Sequence, residues 1–276
     1  MKVIPCLAIF GILAASVLLA GCTAPAAKPE TAEMNAAAEE ISTSINNGLG
    51  DIKEGLRNTS RTLSATGLSG PAAGAAMSEN LRHYPWTLTS FTFSPEGIVL
   101  AAVPEDTAGF VGSNLSGQSA VQKANADRAP TVSGVFHQVE GFTAMLQTCP
   151  VFSASGEYLG YVDITYAPEV FLAERVRPVT NGTSYDVWVI QKDGTEIYDT
   201  TPEEIGKNIL TDPVYADPAL REFANRVVQE PSGTGSYTFW NREWNRNVTK
   251  LAVWDTAGID GAEWRVVVTR EDGNTP

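Results

Sequence analysis

With 276 residues, the chain is long enough for two domains of ordinary size, each with its own core. A formal charge of −13, from 32 acidic against 19 basic residues, excludes recognition of nucleic acid through a basic patch, because phosphates would be repelled before a local contact formed. The only two histidines, His83 and His137, lie at no metal-ligand spacing from each other or from a cysteine, so neither a zinc centre nor another metal site is expected.

Met1 to Ala20 carries one charge, Lys2, followed by an apolar run that ends in Leu19-Ala20-Gly21-Cys22. Small residues directly before a cysteine at the end of such a leader resemble the lipobox of lipoproteins. That resemblance implies that residues 1–22 are a signal peptide with its lipobox and that Cys22 becomes a lipidated mature N-terminus. The body would then be held at the extracytoplasmic face of the cell membrane by acyl chains. An uncleaved N-terminal membrane helix is the alternative reading, and it too places the body outside. Residues 23–30, rich in Ala, Pro and Thr, read as a tether. Beyond the leader Cys149 is the one cysteine left in the folded body, where it reads as a small buried hydrophobe.

Within residues 31–66 the period changes. Met34, Ala38, Ile41, Ile45, Leu49, Ile52, Leu56, Thr59 and Leu63 recur three or four apart, which puts one apolar stripe along a helix about 45 to 50 Å long. Such a stripe can pack along two small domains placed end to end, or form a coiled-coil seam. After a glycine-rich break, Ala72 to Arg82 reads as a shorter helix with Pro71 at its start. Strands are expected near Leu88–Phe93, Ile98–Ala102, Val132–Gln138, Phe142–Phe152 and Tyr158–Thr165, with a short helix at Ser119–Ala126. A link, Ala167 to Gly182, leads into a second set: strands Val187–Ile190 and Glu196–Tyr198, a helix at Pro218–Gln229, and Ser236–Trp240 paired with Thr249–Trp254. Five of the six tryptophans fall in this half and read as core and hairpin packing.

The two sets share a sentence. Phe91–Phe93, the turn Ser94-Pro95-Glu96-Gly97, Ile98–Ala102 and then Gly112-Ser113-Asn114-Leu115 are echoed by Val187–Ile190, Lys192-Asp193-Gly194, Glu196–Tyr198 and Gly206-Lys207-Asn208-Ile209. The closing strands echo as well, Tyr161–Thr165 in the first unit and Trp264–Thr269 in the second. A tandem of related modules follows. This order, with its Gly-x-Asn turn after a hairpin, resembles the double Cache family of extracytoplasmic ligand-sensing domains. The resemblance implies an α+β fold in which two PAS-like Cache modules, each an antiparallel sheet, are strung along a long N-terminal helix. Residues 67–176 would be the membrane-distal module and 177–276 the membrane-proximal one.

Function is read from the strand alternation and from the resemblance together. Tyr161, Asp163 and Thr165 point to one face of their strand and Val162 and Ile164 to the other. If the apolar side meets the long helix, Asp163 faces the side on which a Cache module keeps its pocket. The resemblance implies a ligand amino group on this aspartate, and the expected pocket lies among Phe93, Arg128, His137, Tyr161 and Asp163. The Arg-x-Trp-Tyr cluster of the amino-acid-binding subgroup is not met, since Asp127-Arg128-Ala129-Pro130 stands in its place, so α-amino acids are not implied. No G-x-S-x-G elbow, P-loop or dinucleotide fingerprint is present, and neither an enzyme activity nor a cofactor is expected. The expected function is a lipid-anchored small-molecule sensor that passes occupancy to a membrane receptor or transporter partner. A solute-binding lipoprotein feeding a transporter and a structural surface lipoprotein are the alternatives; capture proteins of the first kind usually close two doubly wound α/β lobes, whereas hairpins dominate this chain.

Overall fold

A computed structural model describes residues 29–137, 143–241 and 245–273. The leader, Cys22 and most of the tether therefore lie outside the described residues, as does Trp244. Helix α1 (Pro29–Thr66) is 38 residues long, about 57 Å at 1.5 Å per residue. The stripe read from the sequence is its buried face: Met34, Ile41, Ile45, Leu49, Ile52, Leu56 and Leu63 are fully covered by the rest of the chain. Polar bonds fix the order of contacts along it. Asn46 Oδ1 accepts from Gly258 N–H at 2.7 Å and Lys53 Nζ reaches Asp260 at 2.7 Å, both in the second module. Farther along, Ser60 Oγ donates to Pro150 O at 2.7 Å and Ser64 Oγ to Phe152 O at 2.5 Å, both in the first. The helix thus passes the second module before it reaches the first. Helix α2 (Gly70–Leu81), with a proline in its first turn, packs beside it.

The first sheet is built from β1 (Thr87–Phe93), β2 (Val99–Val103), β3 (Thr131–Val132), β4 (Phe136–His137), β5 (Thr143–Phe152) and β6 (Tyr158–Tyr166), with α3 (Ser119–Asp127) on its outer face. Its order is β2-β1-β6-β5-β3, with β4 also on β5, and all pairs are antiparallel. The single strand expected from Val132 to Gln138 is thus two short pieces separated by Ser133–Val135. The stretch 167–182, read as a link, is largely helix α4 (Pro168–Thr180). Pro168 sits in its first turn, where the missing N–H costs nothing, and Phe171, Leu172 and Val176 are buried. Phe171 meets Trp86 and Tyr166 at ring distances of 5.1 and 5.5 Å, so α4 is part of the core.

The second sheet follows: β7 (Asp186–Gln191), β8 (Glu196–Asp199), α5 (Pro218–Gln229), β9 (Gly233–Asn241), β10 (Arg246–Ala257) and β11 (Trp264–Glu271), in the order β8-β7-β11-β10-β9. Its correspondence with the first sheet holds at the level of single hydrogen bonds. Gly112 N–H donates to Val99 O, Val99 N–H to Ser113 O and Leu115 N–H to Gly97 O; Gly206 donates to Glu196, Glu196 to Lys207 and Ile209 to Gly194 in the same way. Both hairpin glycines have positive φ, +81° at Gly97 and +89° at Gly194, which these turns demand.

Each sheet turns one face to α1 and the other to its own outer helix. The outer faces differ in filling. Helix α5 buries Leu220, Phe223, Ala224, Val227 and Val228 against Trp188, Tyr237 and Trp254, whereas α3 buries only Val121 and Ala124. A shorter, smaller-sided helix covers less of its sheet, so the outer face of the first sheet is left to the side chains of β1 and β6.

Candidate functional site

Strand β6 alternates as its sequence predicts. Val162, Ile164 and Tyr166 join the core shared with α1, while Tyr161 packs on the outer face with Phe93, Val99, Val121 and Ala124. Gly160 makes the approach of β6 to β1 possible: a Cβ there would lie 1.9 Å from Phe93 O. With the strands pressed together, the Phe93 and Tyr161 rings stack at 4.7 Å with 12° between their planes. Phe91, two residues before Phe93 and hence on the same face, extends the aromatic surface to Phe110 at 5.6 Å.

Asp163 lies in this surface with 3% of its area exposed. Its Oδ1 accepts from Phe91 N–H at 2.7 Å, while Ser90 Oγ donates to the Asp163 backbone carbonyl. Burial pushes the carboxyl up to about 7 and the single backbone donor opposes the shift. Among the described residues no lysine or arginine pairs with it. The Tyr161 hydroxyl is raised as well, first by burial and then by the Asp163 charge. The site therefore offers an acid that exchanges its proton near neutrality, set in an aromatic wall.

The other expected residues are placed differently. Arg128 ends α3 in the left-handed region at φ 49° and is exposed; its guanidinium lies 4.7 Å over the Tyr158 ring and is not opposite Asp163. Tyr158 in turn donates to Asn125 Oδ1 at 2.8 Å, and its hydroxyl is pushed up to about 12 by burial. The backbone of His137 closes β4 opposite Thr143, and its side chain lies outside the described residues. Phe93, Tyr161 and Asp163 are thus brought together, and Arg128 stands apart over Tyr158. Phe91 and Phe110 were missed; the Phe91/Phe93 spacing of two was the available signal for the former. Among the described residues no group of three or more His, Cys, Asp or Glu is placed to hold a metal ion, and no helix is long and apolar enough to cross a membrane.

Residues 47–168, which span the first sheet and the half of α1 that reaches it, match the family model of the HK/GC/chemotaxis protein-like sensor domain. Similar solved structures cover both sheets. An extracellular ligand binding receptor from Desulfohalobium retbaense aligns with a TM-score of 0.73 at 24% identity, over 86% of this chain and 40% of that one. The periplasmic sensory domain of a Campylobacter jejuni chemoreceptor aligns with a TM-score of 0.61 at 11% identity, over 86% and 93%. The chain has the double Cache fold. A third similar structure is the ligand-binding domain of the Pseudomonas aeruginosa amino acid chemoreceptor PctB in complex with L-Arg, with a TM-score of 0.65 at 14% identity over 88% and 96%. The chain spans well under half the length of the Desulfohalobium receptor. No curated protein matches it.

Proposed function

We propose that this double Cache chain is an extracytoplasmic sensor, anchored by a lipid on Cys22, that binds a small cationic ligand in its first module and passes occupancy to a membrane partner. The observation that carries the reading is Asp163: a carboxyl 3% exposed, held by one backbone donor, with no cationic side chain paired to it among the described residues, beside stacked Phe93 and Tyr161. A buried carboxylate without a counter-charge is costly, and a ligand ammonium removes that cost while the rings take its apolar part. The order of contacts along α1 supports a distal position for this module, since the helix meets the second module first. Arg128 is left out of the proposed pocket because it is committed to Tyr158.

A thermal-shift screen tests the reading, because a ligand that binds only the folded state raises the melting temperature. The expected hits are primary and quaternary amines of small size, with amino acids, sugars and dicarboxylates as the comparison sets. Hits confined to dicarboxylates, or amine hits that persist in Asp163→Ala, would overturn it. The anchor is tested separately: Cys22→Ser leaves the precursor unprocessed or releases the body, and wild-type protein found soluble with no lipid on its N-terminal peptide removes that part of the proposal.

A further inference from the structure

The second module carries a buried acid that the ligand proposal does not use. Glu196 opens β8 at the position that Val99 holds in the first module, and it is 3% exposed. Tyr215, from the 3-10 turn Pro213–Tyr215, places its hydroxyl 3.2 Å from Glu196 Oε2 and within hydrogen-bonding distance of Glu204 Oε2, from the turn Pro202–Glu204. One phenolic hydrogen cannot be donated to two carboxylates. Both contacts are hydrogen bonds only if one of the acids brings a proton of its own, so that the hydroxyl accepts from one acid and donates to the other.

The surroundings decide which acid holds it. Glu204 is 28% exposed and its Oε2 lies 3.1 Å from Lys207 Nζ, so a counter-ion and solvent are at hand. Glu196 has neither. The charged and titratable groups around it are Asp199 on its own strand, Glu204 and Lys207 from the loop that follows, Tyr215 from the second turn, and Tyr237 from β9. Desolvation leads, the Asp199 and Glu204 charges add to it, and together they raise the Glu196 carboxyl to about 9 against the opposing Tyr215 and Lys207.

We infer that Glu196, Tyr215 and Glu204 form a proton-held clasp that closes the 200–217 loop over the second sheet and releases it when Glu196 loses its proton. The released state would set the Glu196 and Glu204 carboxylates against each other across one hydroxyl, with the Asp199 charge acting on Glu196 as well. Its effect reaches α5, because Arg221 of that helix donates from Nε to Tyr215 O at 2.8 Å and from Nη2 to Asp212 O at 3.2 Å. A loop freed at Tyr215 therefore loses the bonds that tie the first turns of α5 to it.

Amide hydrogen exchange of the full chain at pH 6.5 and pH 10, corrected for intrinsic rates, reads the clasp directly. Between pH 6.5 and about 9, where the closed Glu196 carboxyl ionises, exchange within 200–217 is expected to rise roughly tenfold per unit in wild type and then to level. In Glu196→Gln, which stays neutral, it is expected to keep the slow rate at both values. Tyr215→Phe, which removes the shared hydroxyl, is expected to exchange fast at both, with circular dichroism showing that either variant remains folded. A pH-independent rate in wild type overturns the clasp, and so does a wild-type pH response in either variant.

Discussion

Lys53 of α1 and Asp260 of the β10–β11 turn form an ion pair at 2.7 Å, and the backbone carbonyl of the same Asp260 accepts from Val132 N–H at 3.2 Å. One residue of the second module thus touches the long helix with its side chain and the first sheet with its main chain. A second tie runs parallel: Gln191 Oε1, at the end of β7, accepts from Val135 N–H at 3.1 Å. The segment from Val132 to Val135 hangs from β5 on one side and from the second module on the other. Any change that moves it is felt in both modules.

Asp260→Asn tests this junction. Asp260 has φ 51°, a left-handed conformation that asparagine tolerates, so the backbone turn survives and only the charge is lost. Both partners are less than a quarter exposed, at 23% and 17% of their side-chain area, so solvent screens the pair weakly. The expected loss is about 1 to 2 kcal/mol, or roughly 2 to 8 °C in melting temperature for a chain of this size. Thermal unfolding measures it, and an unchanged melting temperature would show that the pair contributes nothing.

Two glycines two residues apart in α1 are expected to respond oppositely to the same substitution. At Gly50 a Cβ would meet nothing within 4 Å, so Gly50→Ala gains helix propensity of roughly 0.5 to 1 kcal/mol. At Gly48 the Cβ would fall 2.3 Å from the Nε and Nη2 of Arg175, whose guanidinium lies 3.7 Å over the Phe171 ring and donates to Phe171 O at 2.6 Å. Gly48→Ala must displace that guanidinium from its ring, and overpacking of this kind typically costs about 1 to 3 kcal/mol. Melting temperatures of the two variants should therefore move apart, up for Gly50→Ala and down for Gly48→Ala. Equal gains at both positions would mean that Arg175 yields its place freely.

What could be read from the sequence was local and periodic. The stripe of α1 needs only a spacing of three and four, and the repeated hairpin with its Gly-x-Asn turn needs only a glycine at positive φ and a fixed offset, so both were legible. Helix α4 was not, because Pro168 and Pro178 bracket Phe171, Leu172 and Val176 and make the stretch look like a connection. Pro168 sits in the first turn, where its missing N–H costs nothing, whereas Pro178 lies inside the helix two residues from its end and removes one backbone hydrogen bond. At the site, alternation alone put Tyr161 and Asp163 on the outer face. It could not show that the left-handed end of α3 carries Arg128 over Tyr158, a contact between residues thirty apart. Glu196 was hidden for a related reason: the register shift between Val189 and Ile190 sets it opposite Ile190, on the outer face, and such a shift has no signature in a four-residue strand.

Asp163 makes both stability and ligand affinity depend on pH. Burial raises its carboxyl from the ordinary range to about 7, so between those two values the folded state holds a proton that the unfolded chain has released. Stability from this group is therefore undiminished below the unfolded value and falls as pH rises toward 7. Asp163→Asn removes the charge and with it that part of the pH slope, which denaturant unfolding at pH 5 and pH 8 would reveal as a narrower difference than in wild type. A cationic ligand reverses the preference, since it binds the ionised form. Affinity for an amine found by the thermal-shift screen is expected to rise with pH up to about 7 and then level, with proton release on binding below that point. Removing one partner of a buried charged hydrogen bond costs about 2 to 5 kcal/mol, so Asp163→Ala should weaken the amine roughly thirtyfold or more. Trp240, 52% exposed on β9 of the other module, supplies the control, and Trp240→Ala should leave the affinity unchanged. Titration calorimetry in two buffers of different ionisation heat measures both the affinity and the released proton. Binding that is flat in pH and survives Asp163→Ala, but is lost in a folded Trp240→Ala, would move the pocket to the second module.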